Sequence, residues 1–134
     1  LRYIDVDSEF KPVNDIVAGG KKISGNAQTR RHGVVLQHGT VLVDTDIHRM
    51  FEVLRVSEAK ISDKLIKAVE DRVTNIRRYL DIDISFNSVH DALVRGFEET
   101  FDIELVPGEL TKEEDDYVKQ LYDKYTSKEW VFQR

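Results

Sequence analysis

Apolar and polar positions follow two regimes that change over near Asp44. Before it, apolar residues alternate with polar ones or gather in short β-branched runs, as strands do. After it they recur three and four residues apart, as on a helix face. Leu1 to Asp7 alternates and predicts a short strand, punctuated by Pro12 and by Asn14-Asp15. Ile16-Val17-Ala18 runs into Gly19-Gly20, a turn signal between apolar segments. The strand after that turn would carry Lys22, Ser24 and Asn26 on one face, with Lys21 and Ile23 on the other. Val34 to Val43 is the clearest strand, interrupted only by Gln37-His38-Gly39. A connection at Thr29 to Gly33 makes these two an antiparallel pair.

Past Asp44, Asp46 is placed to cap a helix with apolar positions Ile47, Met50, Phe51 and Leu54. Ser57 to Val69 and Arg72 to Leu80 read as short helices parted by Glu70-Asp71. A further helix begins at Asn87 or Ser88, with Val89, Leu93, Phe97 and Phe101 in one row. Ile103 to Val106 reads as a short strand stopped by Pro107-Gly108. Thr111 and Glu114 have the spacing of a capping box, opening a helix through Val118, Leu121, Tyr122 and Tyr125. Glu129-Trp130-Val131-Phe132 closes the chain with bulky apolar residues. There is no internal repeat, low-complexity tract or linker. Strands first and helices afterwards predict an α+β fold.

Composition sharpens this picture at one place. The 134 residues suit one domain, and a hydrophobic share of 40% supports a core. The net charge is −5, yet no Asp or Glu occurs from Ile16 to Val43. That window holds Lys21, Lys22, Arg30, Arg31, His32 and His38, with glycines at 19, 20, 25, 33 and 39. Cations and flexible backbone in an acidic background favour a small anionic ligand such as phosphate, or an acidic partner surface, over nucleic acid. The plainer reading of the same residues is a solvated basic hairpin. The chain has no cysteine, so it offers no disulfide, no thiolate nucleophile and no Cys-based metal site. That agrees with a cytoplasmic protein, and no apolar run of membrane-spanning length suggests a membrane. Leu1 stands where an initiator Met would be, and the opening residues read as mid-domain sequence.

Several residues could carry chemistry. Lys22, just after a turn, could neutralise charge on a phosphoryl group or carboxylate, or be an ordinary surface lysine. His38 could line a site, or be a hydrogen-bonded strand histidine. Asp15 could hold a metal ion or a ribose, although Asn14-Asp15 is also a common turn pair. Arg72 and Asn75 would share a helix face, or belong to the start of that helix. No Walker-type loop, GxGxxG segment or nucleophile elbow is present. His32 and His38 lack partners at metal-ligand spacing. The residues alone therefore lead to an α+β domain with a candidate phosphate-binding hairpin.

The wording of that hairpin goes further. Asn14-Asp15-Ile16, Gly20-Lys21-Lys22-Ile23-Ser24-Gly25-Asn26-Ala27-Gln28 and Gln37-His38-Gly39-Thr40 resemble the lipoate–protein ligase family, within the biotin/lipoate ligase and octanoyltransferase superfamily. Arg72-Val73-Thr74-Asn75 and Ser127-Lys128-Glu129-Trp130 agree, in the right order. The resemblance implies the fold of class II aminoacyl-tRNA synthetases and biotin ligases, a mixed sheet backed by helices. It also implies activation of lipoate by ATP to lipoyl-AMP, then transfer to a lysine of a lipoyl domain or of a glycine-cleavage H-type acceptor. Lys22 matches the lysine that contacts acyl carboxylate and α-phosphate. Asn14 and Asp15 match positions near the adenylate and its Mg²⁺, with Asp15 the possible metal ligand. Ser24, Gly25 and Ala27 would line the cleft, His38 would lie near nucleotide or acyl group, and Arg72 and Asn75 would bind nucleotide from a helix.

In this family an arginine and a glycine-rich segment followed by His-Asp lie upstream of the region seen here, and no such segment occurs in this chain. Residues 1–134 thus resemble the C-terminal portion of a catalytic domain. The resemblance implies that the glycine-rich N-terminal part and the small accessory domain lie outside these residues. The expected partner is that missing N-terminal half, in the same chain or as a separate polypeptide, and alone the chain is expected not to ligate efficiently. The octanoyltransferase branch works through a cysteine thioester, some members carrying it slightly before the position of Pro12. Here Asp5 to Phe10 holds no thiol, and Ser8 is a poor substitute. With Asn14-Asp15, this favours the ATP-dependent ligase over a transferase whose cysteine lies in the missing part. A non-catalytic subunit of the same fold is the remaining alternative.

Overall fold

The computed structural model describes residues 1–53 and 71–133. The predicted helix Ser57 to Val69, with Leu54 and Glu70, lies outside the described residues. The chain divides into two units, Leu1–Ile103 and Glu104–Arg134.

The first unit is built on a four-stranded antiparallel sheet in the order β1-β2-β3-β4. Its strands are β1 (Glu9–Lys11), β2 (Asp15–Ala18), β3 (Lys21–Arg31) and β4 (Val34–Val41). Ala18 pairs with Lys21, so Gly19-Gly20 is a two-residue turn. Both glycines have positive φ, 55° and 74°, the geometry whose twist matches the flanking strands. His32 and Gly33 form the second turn in the same way, so the connection is shorter than the expected Thr29 to Gly33.

Among the described residues three helices follow in this unit: α1 (Ile47–Val53), α2 (Ile76–Leu80) and α3 (Phe86–Phe101). Asp46 caps α1 as expected, its Oδ1 accepting from the Arg49 amide at 3.0 Å. Ser85 caps α3, accepting from the Ser88 amide, so that helix starts slightly earlier than the sequence suggested. The core gathers Val6, Ala18, Ile23, Val43, Ile76, Ile84 and Val89. Ile23 and Ile76, both 0% exposed, are at its centre and join strand to helix. Along α3 the row Val89, Leu93, Phe97, Phe101 begins in that core and ends in solvent, where the last two rings stack at 5.9 Å.

Three expectations are corrected. Leu1 to Asp7 is not a strand: Arg2–Ile4 is a 3₁₀ turn closed by Asp5 in the left-handed region. Leu1 and Ile4, three apart, fall on one side of that turn against the core, which an alternating reading of the same residues hides. Arg72 to Leu80 is helical only from Ile76, because residues 72–74 bond to the backbone of Lys22 instead. Ile103 to Val106 is irregular and exposed, with no strand among the described residues to pair with it.

The second unit holds α4 (Lys112–Thr126) and the short α5 (Lys128–Val131). The predicted capping box is present, with Thr111 accepting from the Glu114 amide and Glu114 accepting from Thr111. Those bonds from the Thr111 amide and hydroxyl hold the Glu114 carboxyl below its ordinary pKa. Tyr125 and Trp130 pack edge to face at 4.7 Å.

Candidate functional site

Lys22 is positioned by an irregularity in the sheet. Val17 pairs with Lys22 but Ile16 pairs with Ser24, so Ile23 is an extra residue on β3, a β-bulge. Ile23 and Ser24 are consequently both buried although adjacent in a strand. The bulge breaks the alternation that would have grouped Lys22 with Ser24 and Asn26. Lys22 instead lies over Gly25, and its Nζ reaches Asp15 Oδ1 at 2.6 Å.

The Lys22 backbone is clamped from the other edge. Its amide donates to the Arg72 carbonyl at 2.8 Å, and its carbonyl accepts from the Thr74 amide at 2.9 Å, across a parallel bridge to Val73. The next residue along is held by β4's extension, the Leu42 amide donating to the Ile23 carbonyl at 2.9 Å. The Ile76 amide in turn donates to the Leu42 carbonyl at 2.9 Å. The start of α2, the end of β4 and the bulge are thus one backbone network beneath the lysine.

Gly25 makes the lysine's placement possible. A Cβ there would lie 3.1 Å from both Cε and Nζ of Lys22. Gly25 pairs with Asp15 on one side and Thr40 on the other, and Ala27 pairs with His38. By the two-residue period these pairs share a face, so Asp15, Lys22, Gly25, Ala27 and His38 come together on one side of the sheet. With side chains 42% and 30% exposed, the Lys22–Asp15 pair is open to a ligand. Such a half-solvated pair contributes only about 0–1 kcal/mol to stability, so it orients the ammonium more than it holds the fold.

Asn14, Ser24 and Asn26 form a second cluster. Asn26 Nδ2 donates to the Asn14 carbonyl at 3.1 Å and to Ser24 Oγ at 3.2 Å, while Asn14 Nδ2 donates to the Asn26 carbonyl. Asn26 was not among the candidate site residues. Its signal was Gly39, a glycine inside a β-branched strand, which often marks a close approach. A Cβ at Gly39 would sit 2.2 Å from Asn26 Oδ1.

Arg72 and Asn75 do not share a helical face. Arg72 precedes α2 with an exposed side chain and contributes its carbonyl to Lys22. Asn75 is 7% exposed and caps α2, its Oδ1 accepting from the Arg78 amide at 2.7 Å and its Nδ2 donating to the Thr45 carbonyl at 2.8 Å. Among the described residues no group of three or more His, Asp or Glu is placed to hold a metal. Asp15 therefore offers one carboxylate, which suits an ion whose other ligands come from phosphate oxygens and water. Chemically the platform is an ammonium beside bare backbone, fit to bind a carboxylate or phosphate.

The model of the lipoyl protein ligase A/B catalytic domain matches residues 1–98. Octanoyltransferase LipM of Kyrpidia tusciae is 39% identical over 90% of this chain and 44% of its own length. Lipoate-protein ligase A subunit 1 of Thermoplasma acidophilum is 40% identical over 94% of this chain and 48% of its own. The chain thus spans about half the length of the curated relatives it matches. A solved structure of a bi-partite lipoate protein ligase with its E2 lipoyl domain, from the same archaeon, superposes with a TM-score of 0.87. It is 33% identical and covers 99% of this chain and 54% of that one. Lipoate-protein ligase A bound with ATP superposes at 0.78, with 33% identity, over 96% of this chain and 52% of that one. Among the described residues no helix is long and apolar enough to cross a membrane.

Proposed function

The chain belongs to the lipoyl protein ligase A/B catalytic-domain family, and from that premise we propose that it supplies the lysine-bearing part of an ATP-dependent lipoate–protein ligase. The observation that carries this reading is Lys22, clamped at its backbone and laid over Gly25 with its ammonium 2.6 Å from Asp15. In the first step the lipoate carboxylate attacks the α-phosphorus of ATP and pyrophosphate leaves. Lys22 offsets the charge gathering on the carboxylate and phosphate oxygens, and its fixed backbone means little reorganisation is needed as they react. Gly25 and Ala27 let the adenylate approach the strand, and His38 borders it on the same face. In the second step the amine of an acceptor lysine, on a lipoyl domain or an H-type protein, attacks the acyl carbonyl and AMP leaves. Mg²⁺, when bound, would neutralise phosphate charge, with Asp15 the residue that would hold it.

ATP dependence is supported by Asp15 beside Lys22 and by the likeness to a ligase bound with ATP. Lys22→Ala in the complete enzyme is expected to lower adenylate formation by about a hundredfold or more with folding intact. Near-normal pyrophosphate release in that variant would remove Lys22 from the mechanism. The kinship with an octanoyltransferase supports a second reading, acyl transfer through a cysteine outside these residues. ATP-independent acyl transfer from a thioester donor, abolished by a thiol-blocking reagent, would decide for it.

A further inference from the structure

The ladder between β2 and β3 stops at Asp15 and Gly25, beside the lysine. Beyond Asn26, among the described residues, β3 pairs with β4 alone, 27–31 against 34–38, as an exposed two-stranded ribbon. On the other side of Asp15 the chain enters the turn Pro12 to Asn14, where Val13 is 89% exposed. Asp15 is thus the first residue of its strand, at the end of a ladder, where backbone frays unless something ties it down. Asn26 supplies that tie. Its amide and its Nδ2 both donate to the Asn14 carbonyl, at 3.0 and 3.1 Å, and its carbonyl accepts from Asn14 Nδ2. The same Nδ2 donates to Oγ of the buried Ser24 at 3.2 Å. The peptide just before Asp15 is therefore bound to the buried part of β3 through one side chain. Gly39 leaves room for it, since a Cβ there would collide with Asn26 Oδ1. Asn26 lies between Gly25 and Ala27, so by the two-residue period it points to the side of the sheet opposite Lys22 and does not touch a ligand held there.

The geometry points to Asn26 as a positioning residue for the reaction: by tying the Asn14 peptide to Ser24, it holds the Asp15 carboxylate where it orients the Lys22 ammonium. This rests on the ligase reading of Lys22. The Lys22 backbone is fixed by residues 72–74, but its Nζ lies at the end of a long flexible stem, and Asp15 at 2.6 Å is what orients that end. A carboxylate displaced by about an ångström leaves the ammonium off the reacting oxygens, a misplacement worth up to about a hundredfold in rate. Asn26 acts only through Lys22, so it matters to the transition state and adds nothing where the ammonium is missing.

Pyrophosphate release is measured in the complete enzyme for Asn26→Asp, Asn26→Ala and Lys22→Ala, and for Asn26→Asp combined with Lys22→Ala. Asn26→Asp keeps the size of the side chain but sets an acceptor in place of the donor that faces the Asn14 carbonyl. In both Asn26 variants kcat should fall about tenfold, with KM for ATP and for lipoate within about twofold of the parent. On the Lys22→Ala background the same substitution should cause no further loss. A crystal structure of the Asn26→Asp enzyme should show the ammonium out of hydrogen-bond reach of Asp15. Undiminished kcat in both variants, or a change confined to KM, overturns the proposal. So does a loss that multiplies with that of Lys22→Ala, the mark of general damage to the hairpin, and so does an ion pair still closed in the crystal. Asn26→Ala, which keeps the backbone bond to Asn14, carries the same tests if Asn26→Asp does not fold. Near-normal pyrophosphate release in Lys22→Ala alone would fail the ligase reading, and the crystal structure then decides for Asn26: an opened pair keeps its hold on Asp15, a closed pair removes it.

Discussion

The two halves of β3 are made of similar residues and live in opposite environments. Lys21 to Asn26 is paired on both edges, anchored by Ile23 in the core, and fixed by bonds to residues 72–74 and to Asn14. Among the described residues, Ala27 to Arg31 pairs on one edge only, and its residues are all exposed. The difference shows where precision comes from. Lys22 is half-exposed, yet its backbone is set by buried neighbours and its ammonium is paired with Asp15. The outer half has no such frame, and its geometry depends on whatever covers it. On the proposed function, the backbone that places the lysine is therefore carried by the chain itself.

The sharpest break of this comparison is at the lysine. Lys22→Ala in the complete enzyme should lower adenylate formation by about a hundredfold to a thousandfold, the usual loss when one preorganised charge donor is removed. Thermal unfolding should barely move, because the lost ion pair is half-solvated. A large fall in midpoint would show that the pair holds the hairpin together rather than the ligand. Ile23→Ala strikes the frame beneath it. The side chain is 0% exposed, so its removal should cost about 2–5 kcal/mol in chemical denaturation.

Next comes Gly39→Ala, which forces the Asn26 amide from its place and breaks its bonds to Asn14 and Ser24. A loss of about 1–3 kcal/mol is expected, much of it recovered when Asn26 is shortened to Ala in the same chain. Failure of that rescue would mean that the Gly25 carbonyl, 3.2 Å from the added carbon, is the real obstacle. Gly25→Ala is subtler. The new methyl meets the flexible end of Lys22, so stability should change by under about 1 kcal/mol. The ammonium must give by a few tenths of an ångström beside Asp15, and adenylate formation should fall by up to about tenfold.

Much of this was legible in the chain. The α+β order, the Gly19-Gly20 turn, the Thr111–Glu114 box and the Asp46 cap follow from local chemistry, and the structure has each of them. The face on which Lys22 lies was not legible. A strict period of two assigns it to Ser24, and only the pairing register reveals the bulge that moves it to Asp15. Arg72 to Asn75 failed for a related reason. Their helical spacing is real, but tertiary bonds to Lys22 hold residues 72–74 in a single parallel bridge at Val73 and leave Asn75 as the cap. Both errors concern long-range hydrogen bonds, which sequence periodicity does not encode.

The smallest expected effect separates the two halves of the strand most cleanly. Leu36→Ser removes a large apolar side chain, as Ile23→Ala does, but from a site already 60% exposed. In this chain alone it should shift unfolding by less than about 0.5 kcal/mol, since little apolar area is lost from any core. In the assembled catalytic domain the same change should cost more, because the covering part then leaves a hole against β4. The gap between the two measurements, taken as denaturation midpoints side by side, reports how much apolar contact this residue gains in the assembled domain. Equal and small losses in both would mean that β4's outer residues stay in water, and that the ribbon is an arm reaching for some other surface. Equal and large losses would mean that the ribbon already packs within the chain, and the contrast between the halves of β3 would disappear.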